Sequence, residues 1–120
     1  MITPLQLFLV LVGVAFGAAG AVCLKVGAVG IEYRGSYLDA IWQMALNPFV
    51  VGGFVLYVIP SLIWVVLLKS MPLSLLQPLL AMTYVVTPLM AMLFLSEPIS
   101  PVRWLGIAVI VVGVCIVARS

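Results

Sequence analysis

The chain has 120 residues, of which 67% are hydrophobic and 7% charged, against roughly 25% charged in an ordinary soluble domain. So few polar side chains cannot clothe a core of this size in a water-facing surface, whereas a lipid-facing surface requires apolar groups. The composition is that of an integral membrane protein. Five scattered cations, Lys25, Arg34, Lys69, Arg103 and Arg119, face Glu32, Asp39 and Glu97 for a net charge of +2, a pattern that gives nucleic acid no basic patch to meet. The absence of histidine removes histidine-based catalysis. Cys23 and Cys115 lie in apolar stretches and read as small hydrophobes, so neither a disulfide framework nor a metal site is expected, and no cofactor.

The first apolar run, residues 5–27, ends near a small-residue sequence, Ala19-Gly20-Ala21, that resembles a signal-peptidase site. It lacks a basic segment before it and is long enough to cross a bilayer, so it is expected to stay as the first span. Three more runs follow at 49–68, 73–95 and 102–118, giving an all-α, single-domain membrane protein with four transmembrane helices. Asn47-Pro48, Ser70 followed by Pro72, and Ser100-Pro101 each offer a cap and a proline suited to a first helical turn. The short joints make neighbouring helices antiparallel and place both termini on one side.

The longer connection, 29–46, carries Tyr37, Leu38, Ile41, Trp42 and Ala45 at near-helical spacing and is expected to lie in the membrane interface; an extension of the second span is the other reading. Lys69 and Arg119 fall on the side of the termini, and Lys25, Arg34 and Arg103 on the other. That near tie leaves orientation weakly set and permits an inverted pair of subunits.

Pro60, Pro78 and Pro88 lie inside the second and third spans, where each removes a backbone hydrogen bond; they read as ordinary kinks or as hinges beside a cavity. Gly13 and Gly17, continued by Gly20 and Ala21, form a packing stripe on the first span, and Gly106 and Gly113 lie seven apart on the fourth as a dimer contact. Polar groups inside spans are costly unless they face a cavity or a partner. Tyr57, Ser61 and Trp64 share one side of the second span, and Ser74, Gln77 and Tyr84 one side of the third, as a shared lining or as interhelical hydrogen bonds. No Asp or Glu falls within a span, so a buried carboxylate for proton or cation exchange is missing. Lys25 and Lys69 end the first two spans and either snorkel to the interface or meet an anionic head group.

Ile63-Trp64, Met71-Pro72-Leu73-Ser74, Gln77-Pro78-Leu79-Leu80, Glu97-Pro98-Ile99-Ser100-Pro101 and Arg103-Trp104-Leu105-Gly106 together resemble the drug/metabolite transporter superfamily. The likeness is to its small four-helix branch, which includes small multidrug resistance proteins and the subunits that flip 4-amino-4-deoxy-L-arabinose phosphoundecaprenol. It runs over roughly residues 5 to 119. Gly106 to Gly113-Val114 resembles the fourth-helix dimer motif of the multidrug branch. That branch carries a first-helix glutamate eight residues before a lysine matching Lys25, and here the position is Gly17. The departure argues against drug-proton antiport, while the lysine, the proline matching Pro78 and the Glu-Pro turn agree with the flippase subunits.

The resemblance thus implies a non-enzymatic transporter of the bacterial inner membrane that translocates a polyprenyl-phosphate-linked sugar. Lys25 is expected to meet the phosphate, and Tyr57, Ser61, Trp64, Gln77 and Tyr84 to line the head-group path. Four short helices enclose little space, so a dimer is expected, either of identical chains, possibly inverted, or with a similar small subunit. The alternatives are a multidrug-type exporter of polar or cationic compounds and an accessory subunit of a membrane glycosyltransferase.

Overall fold

The computed structural model describes residues 2–32 and 35–120; Arg34, counted above for orientation, lies outside the described residues. Helix α1 spans Pro4–Val29, α2 Tyr37–Leu46, α3 Pro48–Leu68, α4 Leu73–Leu80, α5 Thr83–Leu95 and α6 Pro101–Arg119. Four units are long and apolar enough to cross a membrane: α1, α3, α4 with α5, and α6.

Each start has a local cause. Thr3 and Gln6 form a capping box at α1, the Gln6 N–H donating to Thr3 Oγ1 and the Thr3 N–H to Gln6 Oε1. Asn47 Oδ1 accepts from the Phe49 and Val50 N–H groups at α3, and Ser100 Oγ from the Arg103 N–H at α6, with Pro48 and Pro101 in the first turns. Ser70 does not cap α4, whose N-cap is Pro72 without a side-chain bond. Its hydroxyl instead accepts from Gln6 Nε2 at 2.9 Å, tying the start of α1 to the end of α3.

The 29–46 connection contains a separate helix, not an extension of α3, because Asn47 at ψ 119° breaks the ladder between α2 and α3. Tyr37, Leu38, Ile41 and Trp42 are exposed on it. Gln43 pins the segment by donating to the Glu32 carbonyl and to Asp39 Oδ2 while accepting from the Glu32 N–H. Asn47 Nδ2 donates to the Gly27 carbonyl.

The third crossing is interrupted at Ala81-Met82, three residues after Pro78 and six before Pro88. There the ladder tightens, Ala81, Met82, Tyr84 and Val85 each donating three residues back. Pro60, by contrast, leaves α3 continuous, and next to it Ser61 Oγ donates to the Tyr57 carbonyl at 2.8 Å.

The tightest packing is α1 on α3. Glycines recur every seven residues on α1, at Gly13, Gly20 and Gly27, and oppose Trp64, Tyr57 with Gly53, and Val50 in antiparallel order. A Cβ at Gly20 would stand 3.0 Å from the Gly53 carbonyl oxygen, so the two backbones touch there. Gly17 departs from the expected stripe: it is buried, yet a Cβ at that position would meet nothing within 4 Å. The buried apolar cluster of Val10, Val14, Leu67, Met71, Leu76 and Leu79 joins α1, α3 and α4 toward the end of the molecule that holds Ile2 and Ala118. Helix α6 has no buried residue.

Candidate functional site

Two clefts follow one another along the seam of α1 with α5. The inner one, about 210 Å³, is walled by Gly13 and Gly17 of α1, Tyr57, Pro60 and Trp64 of α3, and Leu80, Thr83 and Tyr84 of the broken crossing. The aromatic wall has a packing cause. Trp64 lies over Gly13 and Tyr57 over Gly20, where a larger α1 side chain would expel the rings. Gly17 then leaves the space between them open. Aromatic faces and few polar atoms suit the C–H face of a sugar or a cation, which binds the negative face of such rings.

One turn further, Ala21 and Thr87 replace Gly17 and Thr83 as the facing residues, and a second cavity of about 310 Å³ opens, reaching Lys25, Ala91, Leu95 and Glu97. Lys25 lies eight residues beyond Gly17, a rise of about 12 Å. It also lies about 31 Å of helix beyond Pro4, roughly the thickness of the hydrocarbon core, which puts its ammonium at the membrane edge. Lys25 Nζ stands 4.0 Å from Glu97 Oε1, with both side chains about half exposed.

Glu97 reaches the cleft through a turn. Ser96 adopts the left-handed conformation at φ 54°, and the Ser96 and Glu97 N–H groups both donate to the Ala91 carbonyl, folding the chain back against α5. A third cavity of about 430 Å³ lies on the other side of this turn, between α5 and α6, and adds Arg103, Gly106 and Ile110 to a wall shared with the second. Thr87, Ala91 and Glu97 line both, and Thr87 Oγ1 is buried with no hydrogen-bond partner among the described residues.

Of the residues singled out in the sequence, Tyr57, Trp64 and Tyr84 meet in the inner cleft and Lys25 lines the next one. Ser61 and Gln77 line neither, both being exposed, and the Ser61 hydroxyl is turned to its own backbone. Glu97, Arg103 and Thr87 are functional candidates that the sequence reasoning passed over. Glu97 and Arg103 lie in or beside a turn and read as solvated charges, and Thr87 reads as one more small residue of an apolar run. A Cβ at Gly106 or Gly113 would meet nothing within 4 Å, Gly106 lining the α5–α6 cavity, and both lie beside an exposed stripe of Val102, Leu105, Val109, Val112 and Ile116 spaced by three and four. A groove at the opposite end, between α4–α5 and α6, is wholly apolar and carries no head-group chemistry.

A four-crossing helical protein with a cation-edged cleft at one membrane face is the architecture of a small membrane transporter. Residues 5–119 match the model of the EamA-like transporter family, and the chain belongs to that family. Similar proteins include a probable 4-amino-4-deoxy-L-arabinose-phosphoundecaprenol flippase subunit ArnE of Aeromonas salmonicida, 33% identical over 60% of this chain and 63% of that one. A probable subunit ArnF of the same flippase from Shewanella sediminis is 34% identical over 71% and 61%. A probable ArnE of Escherichia coli is 28% identical over 85% and 86%. The first of these alignments thus spans just under two thirds of the relative. No solved structure matches the chain.

Proposed function

We propose that this chain is a subunit of a flippase that carries a polyprenyl-phosphate-linked sugar across a bacterial inner membrane. The observation that carries the reading is the α1–α5 seam, which leads from an aromatic cleft at Gly17 to a lysine at the membrane edge, in a chain whose relatives are named as subunits for such a lipid. Lys25 pairs with the lipid phosphate by a charge-assisted hydrogen bond. The sugar slides past Tyr57, Trp64 and Tyr84, and the polyprenyl tail stays in the bilayer.

The chain works as a dimer through the exposed α6 stripe, with Gly106 and Gly113 allowing close approach of a second copy or of a similar small subunit. Helix α2 lies in the interface with its apolar face toward lipid. The absence of Asp and Glu from the crossings, Gly17 included, weighs against a proton-coupled drug exporter.

Proteoliposomes holding the protein and a short-chain polyprenyl-phosphate sugar test the reading. Sugar on the inner leaflet should become accessible to an impermeant periodate reagent outside. Exposure no faster than in protein-free vesicles, for the chain alone and with a co-expressed paralogous subunit, overturns it.

A further inference from the structure

At the end of the molecule opposite Lys25, α1, α4–α5 and α6 enclose a groove of about 390 Å³ whose lining offers no polar atom. Ile2 and Ala118 stand at its mouth, and Val86 and Val111 lie at its inner end. From Ala118 to Val111 the α6 axis rises about 10 Å, or about two thirds of one leaflet of the hydrocarbon core. The mouth is fixed by local bonds: Thr3 and Gln6 cap α1 beside Ile2, and Gln6 ties that turn to Ser70. Helix α6 has no buried residue of its own and meets α4 and α5 across this space. What fills the groove therefore decides how firmly α6 is attached.

An apolar space of this kind holds no water, and leaving it empty forfeits the dispersion contacts of its walls. Its volume is roughly half that of a helix about 10 Å across over the same length, so it fits a single hydrocarbon chain and not a further helix. Charge at the mouth decides between lipids. Arg119 directly follows Ala118 and is exposed in the last turn of α6, and Lys69 ends α3 at the same membrane face. The acids of the described residues, Glu32, Asp39 and Glu97, lie at the other face, where α1 ends and α6 begins. We propose that the groove is the site of a resident anionic phospholipid, one acyl chain lying between α6 and α4–α5 and the phosphate outside the groove at Arg119 and Lys69. This lipid is bound and not carried. Its head group belongs to the leaflet opposite Lys25, and the proposal stands whether or not the chain moves a polyprenyl lipid.

The test uses the purified full chain in non-ionic detergent with phosphatidylglycerol, phosphatidylcholine of the same acyl chains, and undecaprenyl phosphate. Native mass spectrometry should show one phosphatidylglycerol retained per chain, bound roughly fivefold more tightly than phosphatidylcholine, the order expected for one cation at an anionic lipid. Lys69→Gln combined with Arg119→Gln should bring that ratio to within about twofold of one. Val114→Phe, which fills the groove, should weaken both phospholipids several-fold. Phosphatidylglycerol with a diazirine in one acyl chain should crosslink to Val111, Val114 and Cys115 of the groove in preference to the exposed Val109, Val112 and Ile116 of the same helix. Even labelling around α6, or a wild-type ratio near one, overturns the proposal, the lipid then being one of an unselective annulus. If Val114→Phe fails to fold, the crosslinks and the charge variants decide. Displacement of phosphatidylglycerol by undecaprenyl phosphate at equal concentration assigns the groove to a polyprenyl tail and overturns the resident lipid. Loss of the groove crosslinks in a covalently trapped dimer places a second copy there and overturns it as well.

Discussion

Two glycines three residues apart on α1 should respond oppositely to added side chains. At Gly20 a Cβ would stand 3.0 Å from the Gly53 carbonyl oxygen, 3.3 Å from the Tyr57 ring and 3.4 Å from Leu56 Cβ. The branched methyls of Gly20→Val have no free direction, and the nearest obstacle is backbone that cannot rotate away. Forced overpacking of this kind costs about 1–3 kcal/mol, and the gain in helix propensity from glycine to valine offsets only about 0.3 kcal/mol of it. Between helices in lipid there is no hydrophobic force to restore the contact. At Gly17 a Cβ meets nothing within 4 Å, so Gly17→Ala should gain up to about 1 kcal/mol of helix propensity. The variants should differ by about 1–4 kcal/mol in steric-trap unfolding in bicelles, with Gly20→Val below wild type and Gly17→Ala at or above it. Equal stability of Gly20→Val and wild type refutes the backbone contact of α1 with α3. A Gly17→Ala loss as large as that of Gly20→Val refutes the open space beneath the aromatic cleft.

Lys25→Ala should weaken binding of a polyprenyl phosphate by about 1.5–3 kcal/mol while Lys25→Arg keeps most of it; equal binding by all three proteins in native mass spectrometry leaves the phosphate without this partner. Gly106→Leu and Gly113→Leu should lower the yield of crosslinked dimer in membranes, Gly113→Leu without lowering protomer stability because a Cβ there meets nothing within 4 Å, and Gly106→Leu while also filling the α5–α6 cavity that Gly106 lines. An unchanged yield in both moves the interface off α6. Expression of the wild type should give no pH-gradient-dependent resistance to quaternary ammonium compounds, since no carboxylate lies within the crossings. Gly17→Glu should create binding of such a cation, by placing a carboxylate among Tyr57, Trp64 and Tyr84, and fluorescence quenching of Trp64 reports it.

How much of this was legible before the structure depended on the range of the interaction concerned. Length and hydropathy show the four crossings because the bilayer itself imposes them, one run at a time. The Asn47 and Ser100 caps are equally local, and the structure places both where an Asn or Ser precedes a proline. Ser70 is not a cap, since α4 starts after Pro72 two residues on, and its contact with Gln6, 64 residues away, is one that no local pattern carries. The glycine stripe was read at a spacing of four, Gly13 with Gly17, while the antiparallel packing of α1 on α3 selects a spacing of seven, Gly13, Gly20 and Gly27. Period alone does not distinguish the two until the partner helix is known.

The candidate site divides along the same line. Tyr57, Trp64 and Tyr84 line one cleft, and their spacing was legible because hydroxyl and indole N–H groups, unlike the rings that carry them, are costly to leave unpaired in lipid. Ser61 shares that face by spacing yet turns away, since in hydrocarbon a hydroxyl is satisfied most cheaply by the carbonyl four residues back. Glu97 was the most misleading residue. In sequence it is a charge in a turn, outside every span, and therefore discounted as part of the transport chemistry. The left-handed Ser96 folds it back beside Lys25, so the carboxylate missing from the crossings stands at their edge. A carboxylate placed there, next to a cation and half exposed, is unsuited to trapping protons deep in the bilayer.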